Sequence, residues 1–191
     1  HHSTIMDKYD PEKKIGLICD EWGTWFTCEP GTNPGFLYQQ STMRDALVAG
    51  LSLNIFNKHC DRVKMANIAQ LINVLQAVIL TDGPRMLRTP TYHVFHMYKY
   101  HQDADLVESY LDGVETIGEE EEYMVPSLQE SVSIDKEGIL TITLNNLSVD
   151  KDEPVEISFA ECQTKEVTAA ILNNEMHAYN TFEDPDKVHE E

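Results

Sequence analysis

Lys14-Ile15-Gly16-Leu17-Ile18-Cys19-Asp20-Glu21-Trp22 is a short apolar run that stops abruptly at two carboxylates and an indole. Such a run reads as a parallel strand buried on both faces, whose C-terminal end opens into a site. The next twenty residues carry Gly23, Pro30, Gly31, Pro34 and Gly35 and are expected to form a loop. Thr42 stands three residues before Asp45, a capping-box spacing, and starts a helix over Met43–His59 with Ala46, Leu47, Gly50 and Leu51 on one stripe. Apolar residues on its other faces point to a deeply packed helix. Val63, Met65, Ala66 and Ile68 supply a second short strand within residues 62–70, and the apolar segment to Leu80 ends in a turn at Asp82-Gly83-Pro84. Strand, helix, strand is a βαβ unit. Thr89-Pro90 begins a further helix, whose apolar face is Tyr92, Val94, Phe95, Met97 and Tyr98, running to about His101.

Past residue 103 the period changes to two. Leu140, Ile142 and Leu144 alternate with threonines, and Val155, Ile157 and Phe159 alternate with Glu156 and Ser158. Val132–Ile134, the turn Asp135-Lys136-Glu137-Gly138 and Ile139–Leu144 form a hairpin, and Val167–Leu172 adds a strand, so a β-sandwich is expected here. The charge changes at the same place. Residues 1–102 hold 10 Lys/Arg against 9 Asp/Glu, whereas 103–191 hold 4 against 24, which divides the chain into units 1–102 and 103–191. The acidic run Glu119–Glu122 reads as a solvated loop.

Composition narrows the partners. The chain of 191 residues, 41% apolar and 25% charged, suits a globular protein. It has no uninterrupted apolar run of the ~18 residues a membrane helix needs, since Leu71–Leu80 contains Asn73 and Gln76. A net charge of −19 repels phosphate backbones and leaves a neutral sugar polymer indifferent, so neither nucleic acid nor membrane is an expected partner. Cys19, Cys28, Cys60 and Cys162 have no CxxC spacing and read as idle thiols. His1-His2-Ser3 lacks the features of a signal peptide, and localisation is not legible. His93 and His96, with His101 beyond, read as helix-surface histidines with no carboxylate at metal-binding spacing. His59-Cys60-Asp61 reads as a helix end, because adjacent residues do not face one another. No phosphate loop is present, and no cofactor or metal is implied.

Glu21 is delivered by an apolar strand to a mouth that also holds Trp22, Trp25 and Phe26. Sugar hydrolysis needs this combination: rings stack on a sugar face, and a carboxylate attacks or stabilises an oxocarbenium-like centre. Beyond that local reading, residues 14–26 resemble the nucleophile strand of the α-L-arabinofuranosidases of glycoside hydrolase family 51. Arg44-Asp-Ala-Leu-Val-Ala-Gly50 resembles the helix after it, and His59-Cys-Asp-Arg-Val-Lys-Met-Ala-Asn-Ile-Ala-Gln70 with Leu71–Val74 resembles the last barrel strand and its continuation. Pro90–Phe95 resembles the final barrel helix, and His177-Ala-Tyr-Asn-Thr-Phe-Glu183 the closing segment.

The resemblance implies the last two β/α units of a TIM (β/α)8 barrel followed by a jelly-roll-type β-sandwich. It implies a retaining, double-displacement hydrolase removing arabinofuranosyl units from arabinan- or arabinoxylan-type polysaccharides. Glu21 then matches the catalytic nucleophile, Trp25 a wall of the arabinose subsite, and Gln70 a side chain that hydrogen-bonds the sugar or the nucleophile. The family takes its acid/base from an Asn-Glu pair on the fourth barrel strand. The Asn-Glu here, Asn174-Glu175, lies beside the closing segment, so the acid/base is expected outside this chain. The open strands of a partial barrel imply a homo-oligomer. Two alternatives stand beside this reading. One is a carbohydrate-binding β-module docked on an α/β platform, which is weakened because residues after 103 carry Tyr110, Tyr123, Phe159, Tyr179 and Phe182 but no Trp. The other is an endo-glucanase or xylan-directed relative.

Overall fold

Two parallel strands, β1 (Leu17–Trp22) and β2 (Val63–Ile68), are joined by α2 (Met43–Lys58) in the expected βαβ unit. The computed structural model describes residues 1–119, 123–160 and 163–191, so Glu120–Glu122 of the acidic run, Glu161 and Cys162 lie outside the described residues. A further helix, α1 (His2–Tyr9), precedes β1 and is tied to the start of the sheet by Arg62. That guanidinium is buried. It donates to the Asp10 carboxylate at 2.7 Å and to the carbonyls of Ile15 and Asp10 at 2.9 Å each, and it pairs with Asp7. The N–H of Ile15 and the Arg62 guanidinium together hold the Asp10 carboxyl below the usual carboxylate range.

The β1–β2 sheet is not buried on both faces as its sequence suggests. Ile18 is 53% exposed and its partner across the sheet, Met65, 51%. Helices cover one side only, and among the described residues none of the four small sheets closes into a barrel. Covering a parallel sheet on both faces takes a second layer, which these residues do not supply.

The core lies on the helical side. α2 starts at a capping box in which the Asp45 carboxylate accepts from the Thr42 N–H at 2.7 Å and from the Thr42 hydroxyl at 3.0 Å. Its buried face is Met43, Ala46, Ala49, Gly50 and Asn54, rotated from the expected stripe, because the larger Leu47 and Leu51 sit at the flanks. Met43, Ala46 and Ala49 pack on Val94 and Tyr98 of α3 (Pro90–Tyr98) and on Ala178 and Val188 of the chain's last segment. A short 3-10 turn, Lys99–His101, completes α3. The turn at Asp82-Gly83-Pro84 belongs to a hairpin, β3 (Ile79–Asp82) with β4 (Arg85–Arg88). Its Leu80 and Leu87 form a small second core with Ala77, flanked by Tyr38 and Phe182.

In the C-terminal half the predicted hairpin forms. β8 (Leu128–Ile134) pairs antiparallel with β9 (Leu140–Asn146), with Ile134 opposite Leu140, and β5 (Asp105–Leu106) adds to the far edge of β8. β6 (Thr116–Ile117) and β7 (Val125–Pro126) make a two-stranded ribbon. The half is β-rich, but the strands expected at 155–159 and 167–172 do not form: Leu172 makes one bridge to Glu190, and Val155 and Ile157 are exposed. Alternation marks a face for burial, and a strand also needs a free edge to pair with. No described segment runs against residues 155–159. No helix of the described residues is long and apolar enough to cross a membrane.

The two halves meet through a polar contact. The Asn54 amide oxygen on α2 accepts from Ser131 at 2.9 Å and Thr143 at 2.8 Å, and it lies 2.9 Å from the Tyr98 hydroxyl, which accepts from Asn145 at 2.9 Å. Gly50 makes this approach possible, because a Cβ there would meet the Asn145 amide oxygen at 2.3 Å. Burial pushes the Tyr98 hydroxyl up to about 12. The fold therefore favours the neutral phenol, while an unfolded tyrosine ionises near pH 10. This contribution is intact below pH ~10 and is lost as the pH rises towards about 12, removing roughly 2–3 kcal/mol. Urea unfolding across pH 8 to 12 measures it, and Tyr98→Phe should flatten the alkaline limb.

Candidate active site

Trp22 and Glu21 are neighbours with opposite fates. The Trp22 ring turns into the helical layer, edge-on to Phe56 at 5.4 Å and stacked near Phe95 at 6.1 Å. Between Cys19 and Trp22 the first strand advances three residues while its partner advances two, from Ala66 to Ile68, so a bulge falls on Asp20 and Glu21. A bulge re-aims side chains and is common beside active sites. Glu21 is exposed and lines a cleft of about 470 Å³ with Asp20, Ile68, Ala69 and Gln70. Gln70 follows β2 directly across a cis Ala69–Gln70 peptide. Two polar side chains from the C-terminal ends of adjacent parallel strands thus share one opening.

The loop after Glu21 is held from beneath. Gln76 is fully buried: its amide oxygen accepts from the Thr24 N–H at 2.9 Å, and its amide nitrogen donates to the Asp45 carbonyl at 2.7 Å and the Thr91 hydroxyl at 3.2 Å. The Thr24 hydroxyl donates to the Asp45 carboxylate at 2.5 Å, and Gln39 accepts from the Phe26 N–H at 2.8 Å. Gly23 adopts φ +135°, and a Cβ there would lie 3.1 Å from the Gln76 oxygen. Asp45 is legible in the sequence as a cap, but its second duty is not, because Thr24 reaches it only in the folded chain. Gln39 and Gln76 carry no sequence signal beyond being glutamines in apolar surroundings.

Trp25 projects from this loop, 66% exposed, and does not line the Glu21 cleft. Phe26 beside it lies under the Arg44 guanidinium, 3.7 Å from the ring centroid. Glu175 sits by the N-terminus of α2, where the Met176 carbonyl accepts from the Arg44 N–H at 2.9 Å, and does not line the Glu21 cleft. His59 ends α2, and Asp61 after it is paired with Lys13. His93 corrects its reading as a surface residue. It is buried on α3, its ring nitrogens have no hydrogen-bond partner, and a carboxylate does stand near: Glu190 is 3.8 Å from His93 and 2.6 Å from His96. Burial lowers the His93 imidazole's affinity for a proton despite that carboxylate. Glu190 lies 94 positions beyond His96, outside any local spacing rule. No group of three or more candidate metal ligands occurs among the described residues.

A family model described as "Alpha-L-arabinofuranosidase C-terminal domain" matches residues 20–191. The chain belongs to that family. It is 47% identical over 188 residues to an "Intracellular exo-alpha-L-arabinofuranosidase" of Bacteroides ovatus, an alignment covering 98% of this chain and 36% of the relative. Among solved structures it is similar to the "GH51 arabinofuranosidase from Xanthomonas axonopodis pv. citri", at 43% identity and a TM-score of 0.85, covering all of this chain and 38% of the other. A family 51 α-L-arabinofuranosidase from Bifidobacterium longum shares the fold at 24% identity and a TM-score of 0.80, over 97% of this chain and 41% of that one. This arabinofuranosidase family member therefore spans little more than a third of the length of the relatives it matches.

Proposed function

We propose that this chain is the C-terminal part of a retaining α-L-arabinofuranosidase acting on arabinan- or arabinoxylan-type polysaccharides, with Glu21 as nucleophile. The observation that carries this reading is the shared cleft of Glu21 and Gln70, placed by two adjacent parallel strands at their C-terminal ends, the end at which barrel enzymes do their chemistry. On this reading β1 and β2 are the seventh and eighth strands of a (β/α)8 barrel contributed by residues 1–102, and residues 103–191 belong to a jelly-roll-type β-sandwich. Glu21 attacks the anomeric carbon and the glycosidic bond breaks. A second carboxyl group, about 5–5.5 Å away, protonates the leaving oxygen and then deprotonates the water that releases arabinose. That group comes from outside these 191 residues. Gln70 donates its amide to the sugar or to Glu21; the family resemblance assigns Trp25 to a wall of the arabinose subsite, although its ring stands outside the Glu21 cleft.

Gln70→Ala in the full-length protein tests the shared cleft. Losing a hydrogen bond to a group that carries charge in the transition state should lower kcat/KM for an aryl arabinofuranoside by about 10- to 100-fold. An unchanged kcat/KM would remove Gln70 from the site.

The same reading bears on the isolated chain. Ile18 and Met65, opposite one another across β1 and β2, lie on an uncovered sheet face, and an apolar face of this kind seeks a partner. The 191-residue chain should self-associate, as light scattering after size exclusion would detect. A strictly monomeric species at high concentration would count against the barrel assignment.

A further inference from the structure

Glu21 immediately precedes Trp22 and Gln70 immediately follows Ala69, so the backbone at Trp22 and Ala69 sets the spacing of the two cleft side chains. Hydrogen bonds close a ring beneath them. The Trp22 carbonyl accepts from the Ala69 N–H at 2.8 Å, and the Ala69 carbonyl accepts from the Gln76 N–H at 3.0 Å. The Gln76 side-chain oxygen then accepts from the N–H of Thr24, two residues beyond Trp22, at 2.9 Å. The first of these bonds joins the two strand ends directly, and the other two run through Gln76.

Gln76 has no exposed surface and does not line the cleft. Its amide nitrogen carries the ring outward to the first turns of both helices, at the Asp45 carbonyl of α2 and the Thr91 hydroxyl of α3. The backbone after it is held by Thr89, whose hydroxyl donates to the carbonyls of Ala77 and Val78 at 2.8 and 2.9 Å. Gly23 leaves the space for this packing, since a Cβ there would also come within 3.5 Å of the Ala69 carbonyl. One planar amide thus fixes two strand ends against two helix starts.

The chemistry of the position calls for an amide. Its oxygen accepts and its nitrogen donates twice, all in one plane. A carboxylate cannot donate, and a hydrocarbon of the same size takes a partner from the Thr24 N–H and the Asp45 carbonyl. Misplacing a reacting group by about 1 Å costs on the order of 100-fold in rate, so a residue that sets the spacing of Glu21 and Gln70 governs turnover without touching the sugar. We propose that Gln76 is a positioning residue for the hydrolysis, which acts through Trp22 and Ala69 to hold Glu21 and Gln70 at their working separation. The proposal rests on the Glu21 reading.

The test uses the full-length enzyme and first counts competent sites, from the 2-fluoroarabinosyl label bound at Glu21 when trapping is complete, so that each rate is expressed per labelled site. Gln76→Met, which keeps the volume and loses the amide, should lower kcat for an aryl arabinofuranoside about 10- to 100-fold per site and leave KM unchanged. Gln76→Glu gives a second readout. A buried carboxyl resists ionisation, and its neutral form carries an O–H that donates where the amide nitrogen does. The ratio of variant to wild-type kcat per site should therefore climb as the pH falls from about 9 to about 5. A residue that serves the fold alone would change the number of labelled sites and not the rate at each. Wild-type kcat per site in Gln76→Met, or a Gln76→Glu ratio that does not respond to pH, overturns the proposal. If Gln76→Met yields no labelled sites, the pH series of Gln76→Glu decides alone. A wild-type enzyme that takes no label at Glu21 would instead refute the underlying reading, so the two failures are distinguishable.

Discussion

Full-length Glu21→Ala should lose turnover by roughly 10⁴-fold or more, the scale seen when a covalent nucleophile is removed. The loss should be chemical and not structural. Glu21 is exposed at a bulge and makes no side-chain hydrogen bond among the described residues, whereas Trp22, one residue on, is packed between Phe56 and Phe95. Truncating Glu21 therefore leaves the strand's anchor intact, and the variant should unfold at the wild-type temperature. Added azide should restore turnover of an activated substrate, because the small anion fits the vacated volume and attacks the anomeric carbon from the same face. The product should be the glycosyl azide of inverted configuration. Near-normal activity without azide would remove Glu21 from the mechanism.

The 191-residue chain alone should show no turnover of an aryl α-L-arabinofuranoside above a Glu21→Ala control of the same length. Retaining hydrolysis needs two carboxyl groups on opposite sides of the scissile bond. The cleft offers Glu21 and the adjacent Asp20 from one strand, and Glu175, by the N-terminus of α2, does not line it. A single face of carboxylates can attack but cannot protonate the leaving oxygen. Measurable hydrolysis by this chain, abolished by Glu21→Ala, would mean that a residue within it serves as the acid.

Much of the first half is legible because its signals are local. An apolar run ending in Asp20-Glu21-Trp22, a cap at Thr42 and Asp45, and Pro90 at a helix start each fall within a few residues. The hairpin of β3 and β4 is less so: Asp82-Gly83-Pro84 announces a turn, but Arg85-Met86-Leu87-Arg88 shows no apolar alternation, since Leu87 is buried and Met86 exposed within two arginines. Residues 155–159 show the converse. They alternate well and form no strand, because pairing depends on an edge that no short window can reveal. The site divides in the same way. Glu21 and Gln70 belong to strand ends that sequence can locate, while the clamp of Gln39, Gln76 and Asp45 joins residues 13 to 52 positions from the loop residues they hold. Glu190 reaches His93 and His96 from the far end of the chain, which is why those histidines read as solvent-facing.

Trapping the glycosyl-enzyme tests the central assignment most directly. A 2-deoxy-2-fluoro arabinofuranosyl donor with a good leaving group slows both steps, because fluorine destabilises the oxocarbenium-like transition state, and release then lags behind formation. Proteolysis and mass spectrometry of the inactivated full-length enzyme should place one fluoroarabinosyl group on the peptide containing Glu21, at Glu21 itself. A label on any other carboxylate, or inactivation of Glu21→Ala at the wild-type rate, would contradict the account.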